Sequence, residues 1–165
     1  MRALVIGGIL AILVVASGCG GSSSSSASDE ALQRVSDLYA ISQIEKTFHE
    51  AITMKDIDAM MSLYAPNATA TFGPGQTVSG KEQIRDVWLK SVPFRQTTNW
   101  LSDHPAYKLK ATVNGDRGTL RFECHFVDLL TQKIAAVTGG ATDVARIDDR
   151  WLITNFVGAT AELKR

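Results

Sequence analysis

Between Asp29 and Met54 apolar residues recur every three or four positions: Leu32, Val35, Leu38, Ile41, Ile44, Phe48, Ala51 and Ile52. That spacing predicts a long amphipathic helix, with Ser28 or Asp29 able to cap its start. A second helix follows. Asp56 is placed to cap it, Ile57, Met60, Met61 and Tyr64 form its apolar face, and Ala65-Pro66 is expected to end it. The period then drops to two. Ala68, Ala70 and Phe72 alternate with Asn67, Thr69 and Thr71, which predicts a strand, and Gly73-Pro74-Gly75 turns the chain. Ser79 and Glu82 have the spacing of a capping box ahead of a third helix that carries Ile84, Val87, Trp88 and Ser91 on one face and stops at Pro93.

Beyond Arg95 the helical period disappears. Strands are expected over 97–101, 107–113, 117–130, 133–147 and 150–163, with hairpin turns at Asn114-Gly115 and Asp148-Asp149 and a bulge or bend at Gly139-Gly140. Helices first and strands after predict an α+β domain: three N-terminal helices packed on one face of a strongly curved antiparallel sheet.

The chain has 165 residues, enough for one domain with its own core; 45% are hydrophobic and 21% charged. Lys plus Arg and Asp plus Glu are 17 each, so no basic excess exists to neutralise phosphates, and a nucleic-acid partner is not expected. The first residues form a separate unit. Arg2 precedes an apolar run, Ala3 to Val15, that is shorter than the ~20 residues of a spanning helix. The small residues Ala16-Ser17-Gly18 then lead to Cys19, which makes 1–18 a secretory signal. Ala16 to Cys19 resembles the lipobox of bacterial lipoproteins, although Leu is commoner in that family where Ala16 stands. The resemblance implies cleavage before Cys19, a diacylglycerol on its thiol, and a mature chain anchored to the cell envelope. Residues 19–30, rich in Gly and Ser, are expected to be a flexible tether, and 31–165 the domain.

Taken together, Asp56-Ile57-Asp58 with Leu63-Tyr64-Ala65, Gly80-Lys81-Glu82 with Ile84, and Arg146 to Trp151 resemble the SnoaL-like branch of the nuclear transport factor 2-like superfamily, over about residues 34–160. Asp149 stands where that family usually has Gly, and Asp tolerates the turn geometry. The resemblance implies a conical domain with a pocket open at one end. Relatives include cyclases, isomerases, dehydratases and non-catalytic binding modules, so the container is implied and the reaction is not. The Tyr-Asp pair of dehydratase relatives falls here on Ile52 and Thr53, and an expected His falls near Asn99.

Three readings follow. The first is a membrane-anchored binding domain for a small hydrophobic molecule, walled by Phe48, Tyr64, Phe72, Trp88, Trp100 and Phe122, with Asn99 and Asp128 as polar points. The second is a cyclase, isomerase or dehydratase. Asp128 shares a strand face with Leu120, Phe122, Cys124 and Phe126 and is its candidate general base; His125, on the opposite face with Arg121 and Glu123, is the other candidate. The third is a non-catalytic protein-interaction module of the envelope. The polar face of the same strand reads as solvated or as a homodimer contact. Cys124, between two Phe, reads as a buried apolar residue; a reactive nucleophile is the sharper reading, but no basic partner stands beside it in sequence. His49 reads as solvated or satisfied. No cofactor is implied, and three His without ligand spacing, among them His104 in a turn, give no metal site.

Overall fold

The computed structural model describes residues 22–95, 99–102 and 107–161. Cys19 and His104 lie outside them. The elements run α1 (Ser22–Met54), α2 (Ile57–Ser62), β1 (Tyr64–Gly73), β2 (Gln76–Ser79), α3 (Lys81–Lys90), a 3-10 turn (Val92–Phe94), β3 (Trp100–Ser102), β4 (Tyr107–Asn114), β5 (Arg117–Asp128), β6 (Lys133–Ile147) and β7 (Arg150–Ala161). The sheet order is β2-β1-β7-β6-β5-β3, with β4 also paired to β5. β4 takes the first part of β5 and β3 its last residues, so two short strands share one long edge. The sheet is antiparallel except where β1 runs parallel to β7. The α+β cone expected from the sequence is therefore the fold observed.

Several local expectations are corrected. α1 begins at Ser22, so the proposed tether is helical from there on. Serine lowers helix stability only by a few tenths of a kcal/mol, and extending a formed helix is far easier than nucleating one. The first turns of α1 stand clear of the sheet: Leu32 and Val35 are exposed, whereas Ile41, Ile44, Phe48, Ala51 and Ile52 are buried. Pro66 does not follow a loop but lies within β1. Having no N–H to give, it occupies the gap in β1–β7 pairing between Tyr64 and Thr69. The capping box does not form. Gly80 caps α3 with a φ of 85°, a conformation that serine would not adopt easily. Asp56 does cap α2, accepting from the Ala59 amide at 2.9 Å.

Gly139-Gly140 is not a bulge; both residues pair in register with β5 and β7. The irregularities lie elsewhere, at Phe126/Val127 of β5 and Asp143/Val144 of β6. Gly140 and Gly158 face each other on the inner side, and a Cβ at Gly140 would come within 2.6 Å of the Phe122 ring. The Phe122 ring fills the space that a Cβ at Gly140 would need, and the Phe156 ring comes within 3.0 Å of one at Gly158.

At the broad end, α1 is clamped to the β6–β7 hairpin. Buried Asp37 accepts from Trp151 Nε1 at 3.3 Å and pairs with Arg146 at 2.6 Å. Arg146 lies 5.0 Å over the Trp151 ring and also reaches Asp116 in the β4–β5 turn at 3.1 Å. No described helix is long and apolar enough to cross a membrane.

Candidate functional site

The inner faces of α1 and the sheet enclose an aromatic cluster with a cavity of about 110 Å³. Phe48 is its centre: its ring lies 5.2 Å from Phe122, 5.3 Å from Trp88 and 5.8 Å from Phe156, the first two edge-on. Phe72 closes the far side, 5.2 Å from Trp88. Edge-on and offset arrangements fix the rings relative to one another, so the walls are preorganised.

Of the residues named from the sequence, Phe48, Phe72, Trp88 and Phe122 line this cavity. Tyr64 stands behind the wall, fully buried, its hydroxyl accepting from Trp88 Nε1 at 3.2 Å. Burial pushes its phenol well above its ordinary value. Asn99 is exposed and uses its carbonyl to accept from Leu129 N at 3.1 Å. Trp100 pairs through its backbone with Asp128.

The two candidate bases do not face the cavity. Asp128 shares the inner register, but it is the last residue of β5, where the chain turns. Its Oδ1 accepts from Leu130 N at 3.0 Å, Thr131 N at 2.8 Å and Thr131 Oγ1 at 3.1 Å. Those bonds, chiefly from Thr131, hold its carboxyl below the usual range, opposite to the raised value that a general base near neutrality needs. His125 points outward and meets Glu123 Oε1 at 2.8 Å on the same strand face.

Two other residues with polar side-chain atoms do line the cavity, Thr138 and Cys124. Cys124 is 1% exposed and lines the wall between Phe122 and Phe126. Its Sγ is 2.7 Å from Nε2 of His49, also buried at 1%. The same Nε2 is 3.2 Å from Glu45 Oε1, one helical turn earlier on α1. Desolvation pushes the Glu45 carboxyl up to about 7. Glu45 and His49 stand at i and i+4, so they share a face of α1. The apolar stripe concealed this: His49, beside Phe48, reads as solvated or satisfied, and nothing in the stripe marks Glu45. Cys124 was placed on the inner face correctly, but its partner lies 75 residues earlier in the chain. Among the described residues no group of three His, Cys, Asp or Glu is arranged to hold a metal.

Glu45 should make stability depend on pH. The folded chain retains its proton up to about pH 7, whereas an ordinary carboxyl releases it near 4.5. Between those values the folded state binds more protons, so stability is highest below the window and falls as pH rises through it. Urea unfolding at pH 5 and pH 8 should show the wild type losing roughly 2 kcal/mol more than Glu45→Gln over that interval. Equal slopes in the two proteins would show that Glu45 does not titrate in this way.

This is a cone fold of the nuclear transport factor 2 kind. Residues 45–154 match the SnoaL-like domain, and the chain belongs to that family. Solved structures agree on the fold at low identity. A protein from Novosphingobium aromaticivorans with a cystatin-like fold is 14% identical, covering 89% of this chain and 94% of its own, with a TM-score of 0.66. A candidate scytalone dehydratase from the same organism is 11% identical over 78% of this chain and 86% of its own, TM-score 0.63. A candidate ketosteroid isomerase from Shewanella frigidimarina is 15% identical over 71% and 92%, TM-score 0.57. No curated protein matches the sequence.

Proposed function

We propose that the domain is a container for a small uncharged hydrophobic molecule, exported and held at the bacterial cell envelope by a lipid on Cys19. The observation that carries the binding part is the cavity: about 110 Å³, walled by aromatic rings and the flat Gly140–Gly158 stretch of sheet. A dry apolar cavity of ~150 Å³ takes benzene. At about 110 Å³ and open to the surface, this smaller space suits one end of a longer molecule or a small ring that protrudes from it, and its polar wall is Thr138 and Cys124. A reaction with Asp128 as base is not carried forward, since that carboxylate belongs to the β5–β6 turn. The anchor rests on the sequence from Ala16 to Cys19.

A thermal-shift panel of small alicyclic and monocyclic aromatic compounds tests the container. A compound that binds the folded state alone raises the melting temperature in proportion to RT ln(1 + [L]/Kd). Thr138→Leu places a larger side chain into the cavity opposite Cys124 and should abolish that rise while the protein still melts cooperatively. Uniform absence of shifts in the wild type would oppose the reading. In the bacterial host, Cys19→Ser should move the protein from membrane to soluble fractions and remove the lipid mass; unchanged partitioning and mass would refute the anchor.

A further inference from the structure

We propose that Cys124 is the nucleophile of a covalent site: its thiol adds to a small uncharged α,β-unsaturated carbonyl compound held in the aromatic cavity, with His49 carrying the proton. The proposal rests on the reading that the cavity accepts a small apolar molecule, and it names the class of molecule.

A cysteine that merely fills space meets carbon on every side and is inert. Cys124 instead meets an imidazole nitrogen at 2.7 Å, and that nitrogen meets a carboxyl oxygen at 3.2 Å. The strand alternation that buries Phe122 and Phe126 aims Sγ at the same cavity. A molecule in that cavity is therefore in contact with the sulfur, and the sulfur with its base. Rings cover the rest: Phe48 stands 6.4 Å and Phe122 6.1 Å from the His49 ring centroid. Cys124 is 1% exposed, so bulky charged reagents meet the walls before the sulfur, and a small neutral electrophile seated in the cavity is the reagent that fits.

The chemistry fits one nitrogen and one sulfur. His49 Nε2 takes the thiol proton. The thiolate sulfur forms a bond to the β-carbon of the enone, and the π pair of the carbon–carbon double bond moves to the α-carbon and carbonyl oxygen as an enolate. The α-carbon then takes the proton back from Nε2–H. No group leaves and nothing is oxidised or reduced, so no co-reactant is required. Acyl transfer would release a leaving group and call for several donors around an oxyanion, whereas conjugate addition needs the single proton that His49 holds. Glu45, when ionised, favours the protonated imidazole and with it the thiolate.

The test uses the full chain carrying Cys19→Ser, which leaves Cys124 as the one cysteine of the two. It is treated with 2-cyclohexen-1-one, and its binding of the saturated analogue cyclohexanone is measured separately. The expected result is a mass gain of one enone, mapped by peptide fragmentation to Cys124. His49→Gln should slow adduct formation at saturating enone about 100-fold in a protein that still melts cooperatively. A bulky anionic disulfide reagent should leave the folded protein unmodified. Cyclohexanone binding without an enone adduct would overturn the nucleophile and leave the container reading standing. Equal adduct rates in wild type and His49→Gln would overturn the role of His49. Absence of both adduct and cyclohexanone binding would overturn the container reading and the proposal with it.

Discussion

Phe48→Ala should lower the unfolding free energy by about 3–5 kcal/mol, the cost of emptying a large aromatic from a core that relaxes only in part. Phe48 is 2% exposed and has the Phe122, Trp88 and Phe156 rings within 6 Å of its own. It ties α1 to α3, β5 and β7 at once, so its loss frees the helix from the sheet as well as leaving a void. The same substitution enlarges the cavity beside Cys124. Denaturant titration should show a lower midpoint with an unchanged slope, since the surface exposed on unfolding is nearly the same. A loss under 1 kcal/mol would mean that the rings repack around the vacancy, and the walls would not then be preorganised.

Asp37→Ala should cost about 2–4 kcal/mol at the other end of the cone. Asp37 is 6% exposed and gathers the Arg146 guanidinium, the Trp151 indole N–H and Gln33 Nε2 onto one carboxylate. Removing it leaves a half-buried cation and a buried indole donor without their acceptor, and breaking such a pair from one side costs several kcal/mol. Arg146 keeps Asp116, which places the expected loss toward the low end. Asp37→Asn retains an acceptor for the indole and should lose less than Asp37→Ala. Both values come from urea unfolding at neutral pH. If Asp37→Asn and Asp37→Ala were equally destabilised, the Arg146 charge pair alone would account for the clamp.

Periodicity revealed the helices, the long strands and their inward faces, because amphipathic burial imprints itself on neighbouring residues. Ala68 and Ala70 in β1 and Leu120 to Phe126 in β5 bury as their alternation predicts. The misses share one cause: they depend on residues distant in sequence. Gly139-Gly140 looks like a bend until Phe122 is seen lying across Gly140. Pro66 looks like a stop until β7 supplies a parallel partner on either side of it. β2 is short and exposed, too weakly patterned to be read apart from the turn before it.

The site divides in the same way. Four cavity walls were legible as large apolar residues on inward faces. Face alone turns Asp128 toward the cavity, but position along the strand decides: at the last residue of β5, Thr131 and Leu130 offer it three donors. Cys124, His49 and Glu45 required the structure, because a helix residue and a strand residue 75 positions apart become partners only when α1 crosses the sheet.

The most direct measurement is an NMR titration of the isotopically labelled full chain with cyclohexanone. The expected shifts fall on the amides of Cys124, Thr138, Gly140 and Gly158 and on the His49 ring, and they vanish in Thr138→Leu. Shifts confined to the outer sheet face around Glu123 and His125, or none at saturating ligand, would contradict a cavity that binds small hydrophobic molecules.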